Sequence, residues 1–422
     1  MRVLLVSGFY APEEVGIGPY SAELAHGLAA MGHHVEVVTL PAHFPGWRVD
    51  RSHRVRSLRR TSDESGVLVH RLAAYVPSKP TPARRVAHEA AFAVGLAGSR
   101  PVLHRPDAVI VVSPPLTAAL AALAMARSWR VPAILHLQDL VPGIAEAAGA
   151  VRNHLVLGLA AAAERYAYRC AAAVSVVSPG YRDHVGRLGH AGKCVVIPNW
   201  VREVDLERPP RDLTVRARLG VGAGQLAAVY SGSVGRKQGI EVLGKAASLP
   251  EASGIRFVAV CEGPGRAEVE ACRSERPGGL TLLPLQPRRE LARLLAACDV
   301  GLVVQRRGVR DAAMPSKLLT YAAAGLPVVV AADPQSEAAR WVERVRCGFV
   351  APPEQPRALV DRLDWLRAHR DAAGGMAARG RAYVTGELRA ERLLRRWDAL
   401  LGQVTSRSRA PGTAGVTWRH SA

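Results

Sequence analysis

The residues best suited to chemistry in this 422-residue chain are cations set beside glycines and beside helix starts. The string Ser231-Gly232-Ser233-Val234-Gly235-Arg236-Lys237-Gln238-Gly239 follows the apolar run Leu226 to Tyr230 and precedes a helix from Ile240. Its glycines free the backbone, and Arg236 and Lys237 add a planar fork and a point charge beside free amides, the arrangement a diphosphate requires. A basic surface turn is the plainer alternative. A second stretch runs from Leu302 to Val330: strand, polar loop with three arginines and Asp311, then a helix with Pro315, Ser316 and Lys317 in its first turn. Leu318, Leu319, Tyr321 and Ala322 give that helix an apolar face, Gly325 ends it, and Val328 to Val330 is the next strand. Helix N–H groups that open towards a basic loop make an anion site. Alone, this stretch reads equally well as an ordinary βαβ unit with a solvated loop; the Arg236–Lys237 loop tips the balance.

Further strand-end loops carry smaller signals. Glu262-Gly263-Pro264-Gly265 follows the strand Arg256 to Cys261, and Pro284-Leu285-Gln286-Pro287 follows Leu280 to Leu283. Near the N-terminus, Gly16 and Gly18 let the backbone approach a ligand where a helix starts at Pro19. As a dinucleotide fingerprint this is poor, since Ser21 holds the third glycine position and the loop is too long. His136-Leu137-Gln138-Asp139 ends another strand, where open α/β sheets place ligands. Asp139 is read as a general base or as the group that fixes a substrate hydroxyl, with a turn cap as the structural alternative.

These loops need a scaffold, and the chain supplies two. Arg2 to Ser7, His34 to Thr39, Val67 to Leu72, Asp107 to Val112, Ala133 to His136, Val174 to Val177 and Cys194 to Ile197 read as strands, with helices between several of them. Pro198-Asn199-Trp200 opens a charged, proline-rich connector through Pro209-Pro210, after which the β-loop-α pattern restarts. Two doubly wound α/β domains follow from this, facing each other across a cleft: 1–205 and 206–385. A C-terminal helix over 386–404 is expected to pack back on the first, and 405–422 to be a disordered tail.

Composition narrows the class. A formal charge of +20, from 56 Lys+Arg against 36 Asp+Glu, calls for an anionic partner: nucleotide, acidic lipid surface or nucleic acid. Nucleic acid is disfavoured, because aromatics make up only 5% and no helix-turn-helix pattern is present. Six scattered cysteines without a Cys-x-x-Cys pair suit neither a disulfide framework nor a zinc site, and fit a reducing cytosol. No leader is expected, and the longest apolar tract, Ala108 to Ala126, is broken by Pro114-Pro115, so it reads as strand then helix. Between Arg48 and Arg60 lie six arginines without an apolar period, read as a solvated loop or as a contact for acidic lipid head groups or a pyrophosphate acceptor.

The chain resembles the family 4 glycosyltransferases of the GT-B fold, in particular the exopolysaccharide enzymes. The matching pieces are Tyr10-Ala11-Pro12-Glu13, Gly16-Ile17-Gly18 with Tyr20, Gly32-His33, Pro45-Gly46-Trp47 and Tyr75-Val76-Pro77. His136 to Asp139, Pro198-Asn199-Trp200, Tyr230 to Glu241 and Val303 to Lys317 continue the match, which runs to about Leu400. The resemblance implies a retaining, metal-independent hexosyl-type transfer from a nucleotide-diphosphate sugar, UDP- rather than GDP-linked, to a hydroxyl on a saccharide or lipid-linked acceptor. No separate cofactor is implied. The donor would belong to the C-terminal domain and the acceptor to the N-terminal one.

On that resemblance Arg236 and Lys237 bind the diphosphate and stabilise its departure, and with Asp139 they form the catalytic set. Leu285 would meet the nucleobase through its backbone, and amides from Ser316 to Leu318 would face the phosphates. Gly16, Gly18, Glu262, Asp311, Pro315, Lys317 and Thr320 complete the donor set; His136 and Asp139 are the acceptor contacts. Many members carry glutamates at the positions of Ala312 and Thr320. Both are missing here, and Asp311 and Thr320 are the candidate substitutes. A cytoplasmic place at the inner face of a membrane, with an anionic lipid surface as partner, fits an exopolysaccharide role. A nucleotide-sugar epimerase would also use two such domains, but no paired carboxylates sit on suitable loops.

Overall fold

The computed structural model describes residues 1–44, 46–55, 58–63, 65–140, 154–235, 238–263, 265–275, 279–309 and 315–409. Two compact units divide the chain: Met1–Asn199 with the C-terminal segment from Glu391, and Trp200–Ala390. The chain thus changes unit at Asn199, several residues before the Pro-rich connector ends, and again at the start of its last helix.

The first unit is one eight-stranded sheet. Its strands are β1 (Arg2–Val6), β2 (His34–Thr39), β3 (Leu58–Ser62), β4 (Leu68–Leu72), β5 (Ala108–Ser113), β6 (Ala133–Leu137), β7 (Ala173–Val176) and β8 (Cys194–Val196), in the spatial order β3-β4-β2-β1-β5-β6-β7-β8. All neighbours run parallel except β3 and β4. The central strands are buried along their length because helices cover both faces, which is why they read as unbroken Val/Ile/Leu runs rather than alternating ones. The order reverses between β1 and β5, so the loops after those two strands flank the crevice where a doubly wound sheet takes its ligand.

Two expectations change here. The run from Arg48 to Arg60 is not loop throughout: Arg59 and Arg60 lie on β3, which pairs antiparallel with β4 as an edge strand and leaves both arginines exposed. Charged residues on an edge are a common protection against further pairing, so the sequence shows no apolar alternation to mark this strand. Nor does disorder begin at Thr405. The last helix runs Ala390–Arg409, with the Thr405 hydroxyl donating to the Leu401 carbonyl; 410–422 lie outside the described residues. This helix packs on the first unit through Trp397, set edge-on to His136 at 4.9 Å, and through Leu394, which fills the space left by Gly27.

The second unit is a six-stranded parallel sheet of β9 (Leu226–Ser233), β10 (Ile255–Glu262), β11 (Leu280–Leu283), β12 (Val300–Val304), β13 (Val328–Ala331) and β14 (Gly348–Ala351), ordered β11-β10-β9-β12-β13-β14. Its switch point lies between β9 and β12. These two strands pair only at Ala228–Val300 and Val229–Gly301, and further along they part. Ser231 N–H, on the part of β9 past that pairing, donates to the Tyr321 hydroxyl at 2.7 Å. Tyr321 belongs to helix Lys317–Ala324 and packs flat on Gly301, where any Cβ would sit 2.4 Å from the ring. One glycine and one tyrosine thus fix the helix start beside the opening between β9 and β12.

Candidate functional site

At the carboxyl edge of the second sheet the backbone is shaped before any charge is added. Gly232, Gly239 and Gly263 have φ of +136°, +60° and +126°, conformations that suit glycine. A Cβ on Gly263 would meet the Val234 carbonyl at 2.5 Å, so the loops after β9 and β10 touch backbone to backbone. Val234 N–H donates to the Glu262 carbonyl at 2.8 Å, and Gly235 N–H to the Gln238 side chain at 2.8 Å. Arg236 and Lys237 lie outside the described residues, between these two anchored positions, as does Asp311.

Lys317 stands at this edge beside the end of β9. Its Nζ lies 3.6 Å from the centroid of the Tyr230 ring and 3.3 Å from where a Gly232 Cβ would stand. The ring face holds the ammonium at the end of β9, and the absence of a side chain at Gly232 gives it room. Ser316 begins the helix without a side-chain cap, Pro315 is half-buried beside it and Leu318 is buried below. Across the opening, Arg306 pairs with Glu241 at 2.7 Å and with Glu354 and Glu268 at 3.7 Å, tying the loop after β12 to the start of helix Glu241–Ala247. Glu262 is exposed and pairs with Arg266 at 3.4 Å, and Leu285 is half-buried on the loop after β11. Thr320 instead lines a shallow recess with Asp205, Arg208 and Arg288. Lys317, Gly232 and Glu262 share one edge with the start of helix Lys317–Ala324, and the expected row of amides is shorter than the sequence suggested, because Leu318 N–H donates to the Pro315 carbonyl at 3.2 Å.

In the first unit the corresponding edge is built differently. Gly16 has φ +72° and packs on Phe44, and Gly18 lies against Glu13, whose Cβ is 2.9 Å from where a Gly18 Cβ would be. Glu13 is the residue that sequence reasoning missed. Its side chain is 2% exposed, and Oε1 accepts the backbone N–H groups of His43 at 2.9 Å and Phe44 at 3.0 Å, while buried Oε2 has no partner. Burial raises this carboxyl to about pKa 7. His43 lies 3.6 Å from Glu13 and donates through Nδ1 to the Pro41 carbonyl; its buried Nε2 also lacks a partner. Burial lowers this imidazole to about 4, so it stays neutral at physiological pH. Phe9, Trp47 and His88 surround the ring at 5.5, 5.6 and 4.9 Å. The signal in the sequence is a pair of carboxylates, Glu13 and Glu14, between Pro12 and Gly16.

His136 takes a different place from the one expected. Gln138 Nε2 donates to the ring Nε2 at 2.8 Å, so the proton sits on Nδ1, which faces Ser175 Oγ at 3.2 Å. Both nitrogens are used, the residue is 4% exposed, and burial lowers the imidazole to about 4. With Trp397 against its edge, His136 seats the last helix and offers no nitrogen to an acceptor hydroxyl. Gln138 passes the same network to Asn199 through paired amide bonds of 3.0 and 2.8 Å. Asp139 follows at the end of β6, half-buried and engaged. Cys194, Cys261, Cys298 and Cys347 are free, buried thiols with raised pKa, unsuited to act as nucleophiles. Among the described residues no cluster of three His, Cys, Asp or Glu side chains could hold a metal ion.

Two family models match the chain: "Glycosyl transferase 4-like domain" over residues 15–200 and "Glycosyl transferases group 1" over residues 225–369. The provisionally named colanic acid biosynthesis glycosyl transferase WcaI of Escherichia coli (strain K12) is 31% identical over 382 residues, covering 85% of this chain and 90% of that protein. Among solved structures, sucrose-phosphate synthase from Thermosynechococcus elongatus superposes with a TM-score of 0.78 at 18% identity, over 96% of this chain and 99% of that one. Anabaena HepE, solved in complex with UDP-glucose, gives 0.70 at 15% identity, over 96% and 100%. At these identities the two structures speak for the fold alone.

Proposed function

The chain belongs to the family 4 glycosyltransferases, with the GT-B fold, and we propose that it moves a hexose or related sugar from a nucleotide-diphosphate sugar to a hydroxyl acceptor with retention of configuration. The observation that carries the donor half is the opening between β9 and β12. There Lys317 is held over Gly232 by the Tyr230 ring, at the start of helix Lys317–Ala324. Negative charge grows on the diphosphate as it leaves. Cations and N–H groups already fixed in place stabilise that charge with no reorganisation and without a divalent ion. Arg236 and Lys237 would supply the remaining charge from the anchored loop after β9. In this reading the acceptor hydroxyl attacks from the face the diphosphate leaves, and a phosphate oxygen takes its proton.

A lipid-linked saccharide of a cell-surface or exopolysaccharide pathway is the acceptor class proposed, and UDP the carrier. Similarity to WcaI supports the exopolysaccharide setting. Among the described residues no helix is long and apolar enough to cross a membrane. Mass-spectrometric identification of the small molecule that co-purifies tests the donor assignment. A uridine diphosphate or its sugar is expected; an intact redox dinucleotide or a nucleic-acid fragment would overturn it. Incubation with UDP-glucose alone distinguishes the epimerase reading, which requires epimer to form with no acceptor present.

A further inference from the structure

A recess of about 270 Å³ opens at the amino edge of the first sheet, opposite the loops after β1 and β5. Four neighbouring strands begin there side by side, because β4, β2, β1 and β5 run parallel. Its walls include Arg2, His34, Glu36, Gly66, His104 and Pro106. A volume just below that of drug-sized sites suits a small ligand. Glu36 is the carboxylate of the lining, and it is held from both sides: His70 Nε2 lies 3.0 Å from Oε2, and His104 Nδ1 meets Oε1. Burial alone would raise its pKa, but the two imidazole bonds outweigh burial and hold it below the ordinary value. A carboxylate only accepts, so both of those nitrogens carry a proton. His70 is buried with Nδ1 unpartnered, and a second proton there would be a buried donor with no acceptor. His104 is 52% exposed, so a second proton finds room at its Nε2. Arg2 and His34 are exposed, and among the described residues neither side chain has a hydrogen-bond or ion-pair partner. The nearby acids look elsewhere: Asp107 accepts the Arg2 backbone N–H at 2.9 Å, and Asp63 meets His26 at 2.8 Å. Glu64 lies outside the described residues.

We propose that this recess binds a small dianion of the phosphate class, the free ion or a monoester, through Arg2, His34 and His104. With Glu36 committed to two imidazoles, these three side chains are the groups left for a ligand. Each is a positive donor once the imidazoles are protonated. A metal cation would meet those charges and a carboxylate whose oxygens are already used. A neutral sugar would leave the guanidinium without a counter-charge. A dianion satisfies the planar fork of Arg2 and draws protons onto His34 and His104, so its affinity rises as pH falls. The recess belongs to the first sheet and the donor opening to the second, so its occupant would not compete with a nucleotide sugar. The inference goes beyond the glycosyltransferase reading and does not depend on it.

Sulfate is the probe, because it keeps both charges between pH 6 and pH 8 while imidazoles titrate. Calorimetric titrations of the full chain at constant ionic strength, with saturating UDP to fill the donor opening, make the test. Sulfate should bind about ten-fold more tightly at pH 6 than at pH 8, as imidazoles gain charge over that interval. Arg2→Gln should weaken it about ten-fold at both pH values, the loss of one charge-assisted hydrogen bond. His34→Gln should weaken it at pH 6 and leave it unchanged at pH 8. Both side chains are exposed, so the fold should survive either change. Phosphate and glycerol 3-phosphate, compared at pH 8, separate the two sources: tighter binding of the ester assigns the site to a monoester, and tighter binding of phosphate to the free ion. No sulfate binding in saturating UDP overturns the proposal, as does a pH-independent affinity or one equal in the native protein and Arg2→Gln. UDP titrated first reports on the glycosyltransferase reading separately; should it not bind, Lys317→Ala takes its place as the means of removing the second anion opening.

Discussion

Glu13 shows how far a single residue can be moved by its surroundings. Its ordinary pKa of 4.5 rises to about 7 on burial, so the folded chain keeps a proton that the unfolded chain releases between those values. Stability from the neutral carboxyl is present near its unfolded pKa and lost as pH rises through 7. His43 and Arg71 face this carboxyl; His43 is lowered to about 4 and does not titrate within that window. Glu13→Gln keeps the shape and an acceptor for the two backbone N–H groups. We therefore expect its stability relative to the native protein to be better at about pH 8.5 than at about pH 5, by about 3 kcal/mol. Urea midpoints at the two pH values measure this, and an equal difference at both would contradict it. Lys317 is legible in sequence from its place in the first turn of a helix that follows a basic loop, whereas Arg236 and Lys237, read from the glycine-rich string, lie outside the described residues. Glu13 and His43 are not legible, because their meaning comes from burial and from the Phe9, Phe44 and Trp47 rings, which only the folded loops assemble. His136 misled for the same reason: a strand-end histidine in a ligand-type position turns out to be closed off by Ser175, Gln138 and Trp397.

At the level of elements, glycines decide what packs. A Cβ on Gly27 would stand 2.5 Å from Leu394 Cδ1 of the last helix, so Gly27→Ala should cost about 1–3 kcal/mol by overpacking. Leu394→Ala in the Gly27→Ala background should cost less than in the native one, since it removes the clashing group. Chemical denaturation of the four proteins forms the cycle, and strict additivity would sink this account of the docking. Tyr321 is the equivalent tie in the second unit. Tyr321→Phe removes the oxygen that accepts the Ser231 N–H, with an expected loss of about 1 kcal/mol and a weaker grip on UDP, because Lys317 leaves from the same helix. Calorimetry with UDP checks the second part, and unchanged affinity would separate Tyr321 from the site. Most strands could be read ahead from continuous apolar runs, since a parallel sheet buries both faces. β3 could not, being a charged edge. The parting of β9 from β12 after Val229 could not be read either, because it depends on how two strands distant in sequence run side by side.

For the whole molecule, the excess of 56 Lys+Arg over 36 Asp+Glu asks for anionic partners, and a nucleoside diphosphate accounts for only a little of it. Arg54, Arg59 and Arg60 are exposed, and Arg56 lies outside the described residues between them. If these arginines meet acidic lipid, binding to anionic vesicles should weaken steeply with salt, and replacing all four with glutamine should remove most of it. Unchanged vesicle binding in that variant would leave the run as ordinary solvated surface.

The central proposal for this molecule is a donor diphosphate held by fixed cations. Turnover of UDP-glucose in excess EDTA tests it most directly, in the native chain and with Arg236 and Lys237 each replaced by alanine. We predict that transfer persists under chelation and that each substitution costs about 2–4 kcal/mol of transition-state stabilisation, the size of one lost preorganised contact, with folding intact. Loss of activity in EDTA restored by magnesium or manganese, or near-normal turnover in the double variant, would contradict it.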